Sequence, residues 1–207
     1  MFKNLTAVGV VMRIIAGEAK GRRLKTVPGM KVRPTTDRVR ESLFQIIGPY
    51  FEGGGVLDLF AGSGSLGLET LSRGAERAVF VDQASASVET VRQNLQKVGF
   101  SDRAEVYRKD ARAALRILVR RKLSFRYIFL DPPYRETFLP ELLTYISEHD
   151  LLEPCGVLVA EQGADSRLES RYHHLSRGRE LVYGQTKIHL YYPGGAKDAG
   201  GSLSGEL

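Results

Sequence analysis

Two short runs in the chain carry residue types that can do chemistry at a recognisable spacing. One is Asp131-Pro132-Pro133-Tyr134, which follows the apolar stretch YIFL directly. Two successive prolines fix the backbone and remove two N–H donors, so the neighbouring carbonyls are left free as acceptors. A carboxylate beside a rigid carbonyl can accept both hydrogens of an exocyclic NH2 group. Such an amine is a poor nucleophile because its lone pair is delocalised into its ring. Holding its hydrogens lets the nitrogen pyramidalise and attack an electrophilic methyl group in line. Asp131 and the Pro132 carbonyl are the candidates for holding the amine, and Tyr134 for stacking on the base. A base reaching such a site has to leave its stack, which implies flipping or an unpaired nucleotide. The plain alternative is an Asp-Pro turn that only ends a strand.

The second run is DLFAGSGSLG, with Gly62-x-Gly64-x-x-Gly67 placed between a strand and a helix. Glycines tolerate positive φ and let a ligand approach the backbone closely. Asp82 ends the next strand, twenty residues after Gly62, and suits a ribose hydroxyl pair. This pattern is shared by NAD enzymes and enzymes of S-adenosylmethionine (SAM), and charge separates them. A pyrophosphate at a helix N-terminus excludes a nearby carboxylate, whereas the amino group and sulfonium of SAM want one. Asp58 stands there, which favours SAM. Asp110, in RKDA, is placed either to accept from an adenine amino group or to cap the following helix. Phe60, Ala61 and Ser63 around the glycines, Gln83 after Asp82 and Ala111 after Asp110 complete the expected cofactor-binding set.

These residues need a scaffold that brings strand ends together. Apolar runs at 56–60, 78–82, 104–110, 127–131 and 156–161 alternate with helical patterns, which means βαβ units and a parallel sheet. Two more strands, about 179–183 and 186–192 around Gly184-Gln185, close the sheet with an antiparallel hairpin. RIIAGEAKGRRLK (13–25) reads as a small hairpin of two short strands. VRPTTDRVRESLFQIIGP reads as a helix capped by Thr36 or Asp37, with Val39, Leu43, Ile46 and Ile47 as its buried stripe. The expected division is a basic N-terminal arm (1–48), a main domain (49–193) and a disordered Gly/Ser-rich tail (194–207). The natural start is either Met1 or Met12.

Charge and composition narrow the class. The net charge of +6 is concentrated at the start, where residues 1–45 hold ten Lys or Arg against three acids. That is the footprint of a polyanion partner or of a solvated basic surface. Arg13, Lys20, Arg22, Arg23, Lys25 and Arg33 are the candidate nucleic-acid contacts. A second basic run, Arg108 to Lys122, falls largely on one helix. The one cysteine, Cys155, cannot form an internal disulfide, and no metal-ligand spacing is present, so no metal is expected. The apolar run Leu5–Met12 is too short to span a bilayer. A signal peptide fits poorly because Arg13 and basic residues occupy its cleavage region. A cytoplasmic monomer is expected. Cys155, His149 and the pair His173-His174 are given no catalytic role.

DLFAGSGSLGLE and LDPPY, preceded by RIIAGEAKGRRL and RPTTDRVRESLF, together resemble the bacterial 16S rRNA guanine-N2 methyltransferases of the RsmD type. The resemblance covers about residues 12–193. It implies a Rossmann-like class I SAM-dependent methyltransferase fold, with a seven-stranded, mostly parallel sheet ending in an antiparallel strand. It implies SAM as cofactor and, as substrate, a guanine of 16S rRNA in the small ribosomal subunit. It also implies that Asp58, Gly62, Gly64, Asp82, Asp110 and Asp131 border the cofactor or active site, with Thr35, Arg38 and Glu41 closing over it. The tetrad alone is shared with DNA amino methyltransferases. A DNA adenine-N6 or cytosine methyltransferase is therefore one rival reading, and a non-catalytic RNA-binding module another. An NAD oxidoreductase is disfavoured by Asp58.

Overall fold

The computed structural model describes residues 12–28, 37–132, 138–163 and 167–194. In chain order the elements are α1 (Asp37–Ile47), β1 (Gly55–Asp58), α2 (Ser65–Ser72), β2 (Arg77–Asp82), α3 (Ser85–Val98), β3 (Ala104–Arg108), α4 (Ala111–Arg120), β4 (Phe125–Leu130), α5 (Leu139–Glu148), β5 (Leu152–Gly163), β6 (Arg171–Tyr172), β7 (Leu175–Tyr183) and β8 (Thr186–Pro193). The strands form one sheet in the order β3-β2-β1-β4-β5-β8-β7-β6. The first five run parallel, and β8 is antiparallel to both β5 and β7.

Period-2 alternation sorts the buried strand residues onto two faces. Val56, Phe80, Phe129 and Val159 pack with α1, α2 and α3 on one face. Leu57, Val81, Leu130 and Ala160 pack with α4 and α5 on the other. Both faces are covered, so the central strands read as continuous apolar runs.

The seven expected strands are present, and β6 adds an eighth of two residues. β7 begins at Leu175, earlier than its sequence suggests. It lies next to the edge strand, is exposed over Arg179–Glu180, and shifts register between Arg177 and Arg179. It therefore lacks clean apolar alternation. The N-terminal hairpin keeps its reversal but has one antiparallel bridge, Arg13–Arg23, in place of two strands. The Ile14, Gly21 and Leu24 amides still bond across the hairpin, while the Ile15 and Ala16 amides donate to Glu69 and the Glu18 amide to the Ser72 carbonyl of α2. In α1 the fully buried residues are Arg40, Leu43 and Phe44, while Val39, Ile46 and Ile47 are half-buried at the core's margin. The tail beyond Gly194 and residues 1–11 lie outside the described residues.

The basic segment is joined to the sheet by a buried polar network. The fully buried Glu69 carboxylate accepts from the Ile15 and Ala16 amides at 2.7 and 3.0 Å and from Arg73 Nε at 2.8 Å. Arg73 Nη1 donates to the Pro49 carbonyl, and its guanidinium lies over the Phe44 ring. Arg40 Nη2 reaches the Arg13 carbonyl and Asp37. Ser72 Oγ accepts from the Ala19 amide and donates to the Ala16 carbonyl. Ile14, Ala19 and Leu24 belong to the same core cluster as β2 and α2. Removing the Glu69 carboxylate strands two amides and a guanidinium away from water, which costs several kcal/mol. Glu69→Ala is expected to lose about 3–5 kcal/mol in denaturant-induced unfolding; a loss under about 1 kcal/mol would contradict the role given to this network.

Candidate active site

The parallel register carries four acids to one edge of the sheet. Asp58 ends β1, Asp82 ends β2, Asp131 follows β4, and Glu161 lies near the end of β5. Asp58 pairs with Phe129 and Leu130 with Ala160, so Asp131 comes beside Glu161 one step further along. Each acid keeps the parity of Val56, Phe80, Phe129 and Val159. All four therefore belong to the sheet face covered by α1, α2 and α3. This is the carboxyl end, where open α/β sheets bind ligands.

The glycine turn is held by two of these acids. Asp82 Oδ2 accepts from the Gly62 amide at 2.9 Å, and Oδ1 from the Ala84 amide at 2.8 Å. Asp58 Oδ2 accepts from the Gly67 amide at 3.2 Å. Gly64 sits at φ 79° as the residue before α2. A Cβ on Gly67 would lie 2.3 Å from the Phe80 ring, so this glycine lets α2 sit close against β2. Gly62 differs: φ is +54° and a Cβ there would meet nothing within 4 Å. The space beside it is open on the side a Cβ would occupy. Asn94 supports the turn from behind, donating to the Ser63 carbonyl and to the Lys25 carbonyl while accepting from the Lys25 amide. Ser63 Oγ donates to Met12 Sδ, so the turn is tied to the basic segment at two points.

Electrostatics set the chemistry. Burial, with the Asp82 charge as a lesser contributor, pushes the Asp58 carboxyl up to about 7 against a partial offset from the Gly67 amide. Asp131 as a residue keeps some contact with solvent, but its carboxyl is enclosed. Burial, then the Glu161 charge, then that of Asp58 raise it well above the usual carboxylate range. Acids crowded in this way favour a cationic ligand. One bearing an ammonium and a sulfonium suits them, which is the fit expected of SAM. A dinucleotide pyrophosphate would add anions to the same edge and does not fit.

The structure brings Asp58, Ala61, Gly62, Ser63, Gly64, Asp82 and Asp131 together at this edge, with Pro132 buried beside them. Gln83 is exposed next to Asp82, and its carbonyl accepts from Arg108. Asp110 caps α4, its Oδ1 accepting from the Arg112 and Ala113 amides at 3.0 and 3.2 Å. The side chain itself is exposed at the rim, and Ala111 is buried behind it. Phe60 stacks on Phe138, centroids 5.8 Å apart, against the opposite core. Arg38 and Glu41 are exposed on α1. Tyr134, Thr35 and Arg33 lie outside the described residues. Glu161 is not singled out by the sequence. Its signal is weak, an acid at the end of the apolar run GVLVAE that reads equally well as a strand terminus.

Comparison with known proteins matches residues 12–192 to the model of the family described as Conserved hypothetical protein 95. The chain belongs to this family, the one its motifs resemble. It is 49% identical over 180 residues to YlbH of Bacillus subtilis, a provisionally named rRNA methyltransferase, covering 87% of this chain and 98% of that one. It is 33% identical over 180 residues to ribosomal RNA small subunit methyltransferase D of Escherichia coli, covering 87% and 89%. The solved structure of a provisionally named Escherichia coli methyltransferase, yhhF, superposes with a TM-score of 0.74 at 33% identity, over 88% of this chain and 98% of that one. A provisionally named methyltransferase, SMU.776, solved in complex with SAH, shares the fold at a TM-score of 0.57 and 16% identity. The family's fold is thus the α/β methyltransferase fold, with a mostly parallel sheet and antiparallel closing strands.

Asp58 gives a direct check on this electrostatic picture. Its carboxyl titrates near 7 in the folded protein, against 3.8 for an ordinary aspartate, the value it regains on unfolding. The folded state binds that proton more tightly, so its contribution is complete below about 4 and is lost as pH rises through about 7. The difference in proton affinity between the two states is worth roughly 4 kcal/mol. Asp58→Asn is expected to flatten this fall when urea midpoints are compared between about pH 4.5 and 8. An unchanged slope would contradict the buried, raised Asp58 carboxyl.

Proposed function

We propose that this protein transfers a methyl group from SAM to the exocyclic N2 amine of a guanine in 16S rRNA, in the small ribosomal subunit of the bacterial cytoplasm. The observation that carries the reading is the enclosed Asp131 carboxyl followed by buried Pro132, set beside Asp58 on one edge of the sheet. The likeness to small subunit methyltransferase D supports the substrate. Bound SAM supplies an electrophilic methyl on a sulfonium. Asp58 would meet its ammonium, Asp82 its ribose, and Gly62 with Gly64 its close approach. Asp110 at the rim and Thr35, Arg38 and Glu41 would complete the cofactor's surroundings.

Asp131 and the Pro132 carbonyl would accept from the two amine hydrogens and orient the nitrogen, while Tyr134 would stack on the base. A new N–C bond forms as the S–C bond breaks, and the amine gives up one proton. An enclosed carboxylate flanked by Glu161 has raised proton affinity and is suited to take it. Catalysis would be mainly positioning and electrostatics. Arg13, Lys20, Arg22, Arg23 and Lys25, all exposed, and Arg33 would meet RNA phosphates. The arm, residues 1–48, would serve the substrate and residues 49–193 the cofactor. A monomer without a metal suffices for this chemistry, and among the described residues no His, Cys, Asp or Glu group suits a metal ion. No helix among the described residues is long and apolar enough to cross a membrane.

Small subunits from cells lacking the protein, incubated with it and methyl-labelled SAM, are expected to yield labelled N2-methylguanosine. Asp131→Ala is expected to cut that transfer at least a thousandfold while SAM binding stays within threefold. Label in methyladenine or methylcytosine, or an active Asp131→Ala, would overturn the assignment. Because Asp58 must be ionised to meet an ammonium, SAM affinity should weaken as pH falls below about 7, approaching tenfold per unit. Calorimetric titration from about pH 5.5 to 8.5 checks this, with a flat profile contradicting it.

A further inference from the structure

On the sheet face opposite the N-terminal segment, α4 presents a stripe of cations that the chemistry above does not use. Between Ala111 and Lys122 there are five Lys or Arg and no acid. The buried side of α4 is Ala111, Ala114, Leu115 and Leu118. Arg112, Arg116 and Arg120 recur every four residues on the other side, over roughly 12 Å of helix, and Lys109 stands just ahead of the cap residue Asp110. Two of the run's cations are neutralised within the fold: Arg112 forks onto Glu141 at 2.8 and 2.7 Å, and Arg121 onto Glu105. Lys109, Arg116 and Arg120 are exposed, and no acid of α4 offsets them. Like charges four residues apart, Arg112/Arg116 and Arg116/Arg120, weaken a helix. Of these, Arg112 is used within the fold, by Glu141 and by the Phe138 ring.

The position of the stripe gives it meaning. Lys109 and Asp110 lie at the rim of the carboxyl edge, where the Lys109 amide donates to the Asp82 carbonyl. From there the stripe runs away from the site down the α4 face. The hairpin cations Arg13, Lys20, Arg22 and Arg23 belong to a segment that packs on α2 and α3, on the other face of the sheet. The catalytic edge thus lies between two basic surfaces.

We propose that the α4 stripe is a second phosphate-backbone contact surface, so that the substrate RNA straddles the carboxyl edge between the hairpin and α4. The inference rests on the RNA substrate proposed above. RNA is favoured over an acidic protein because the cations form a linear row continuous with the edge where the base must enter. Phosphate contacts of this kind release counterions and weaken with salt, by about 0.7–0.9 in log–log slope per contact.

The test is Arg116→Gln/Arg120→Gln, which removes two exposed charges while keeping good helix formers. Methyl transfer to small subunits is measured for wild type and variant across salt concentrations, with SAM binding and thermal unfolding alongside. The expected result is a KM for subunits raised at least fivefold at about 0.15 M salt and a log KM against log salt slope lowered by about 1.5. kcat at saturating subunits, SAM affinity and unfolding temperature should be unchanged. An unchanged KM and salt slope in the variant, with wild type active, would overturn the surface. A raised KM with an unaltered salt slope would also overturn it, since that is the mark of a protein contact or a local packing effect. Failure of wild type to transfer methyl to subunits at all would strike the proposed function instead.

Discussion

The parallel register of β1, β2, β4 and β5 is the constraint on which the rest depends. A slip of one residue in any of these strands would turn its terminal acid to the opposite face. The register is fixed by apolar residues on both faces, Val56, Phe80 and Phe129 against one helical layer and Leu57, Val81 and Leu130 against the other. Hydrophobic burial on two sides therefore aims four carboxyl groups at one place, although no attraction between those groups favours it. Enclosing the carboxyls has a cost, chiefly their desolvation and secondarily their mutual charge, that appears in the raised Asp58 and Asp131.

That cost is what the glycine turn and the N-terminal segment are built around. Asp82 and Asp58 each receive a backbone amide from the turn or from α2, which orders the loop before any ligand arrives. Asn94 and Met12 then tie the turn to the segment that carries the basic residues. Glu69 and Ser72 anchor the same segment to α2. The basic hairpin is thus packed into the core that positions the site and hydrogen-bonded to the glycine turn.

Much of this was legible in the chain. Continuous apolar runs with acids or glycines at their ends mark the strand positions, because buried parallel strands have no competing pattern. Asp82 and Asp131 were readable because each ends such a run, and Asp58 because it stands just ahead of the glycine turn. Glu161 was not, since an acid ending a strand has no distinguishing signal until the strand order places it beside Asp131. Arg40 was hidden by its type: helical periodicity assigns a charged residue to the solvent side, whereas here its guanidinium is buried between α1 and the hairpin. The hairpin's shortened strand pairing was equally unreadable, because several of its amides are satisfied by Glu69 and Ser72, more than fifty residues away. Asp110 was open between two roles, and the structure shows the capping bonds.

The most direct test of the account is the inventory of modified nucleosides in 16S rRNA from cells with and without this gene. Loss of one N2-methylguanosine on deletion is the predicted result, restored by the wild-type gene and not by the Asp131→Ala form. A deletion strain whose 16S rRNA keeps its full complement of N2-methylguanosine would contradict the account.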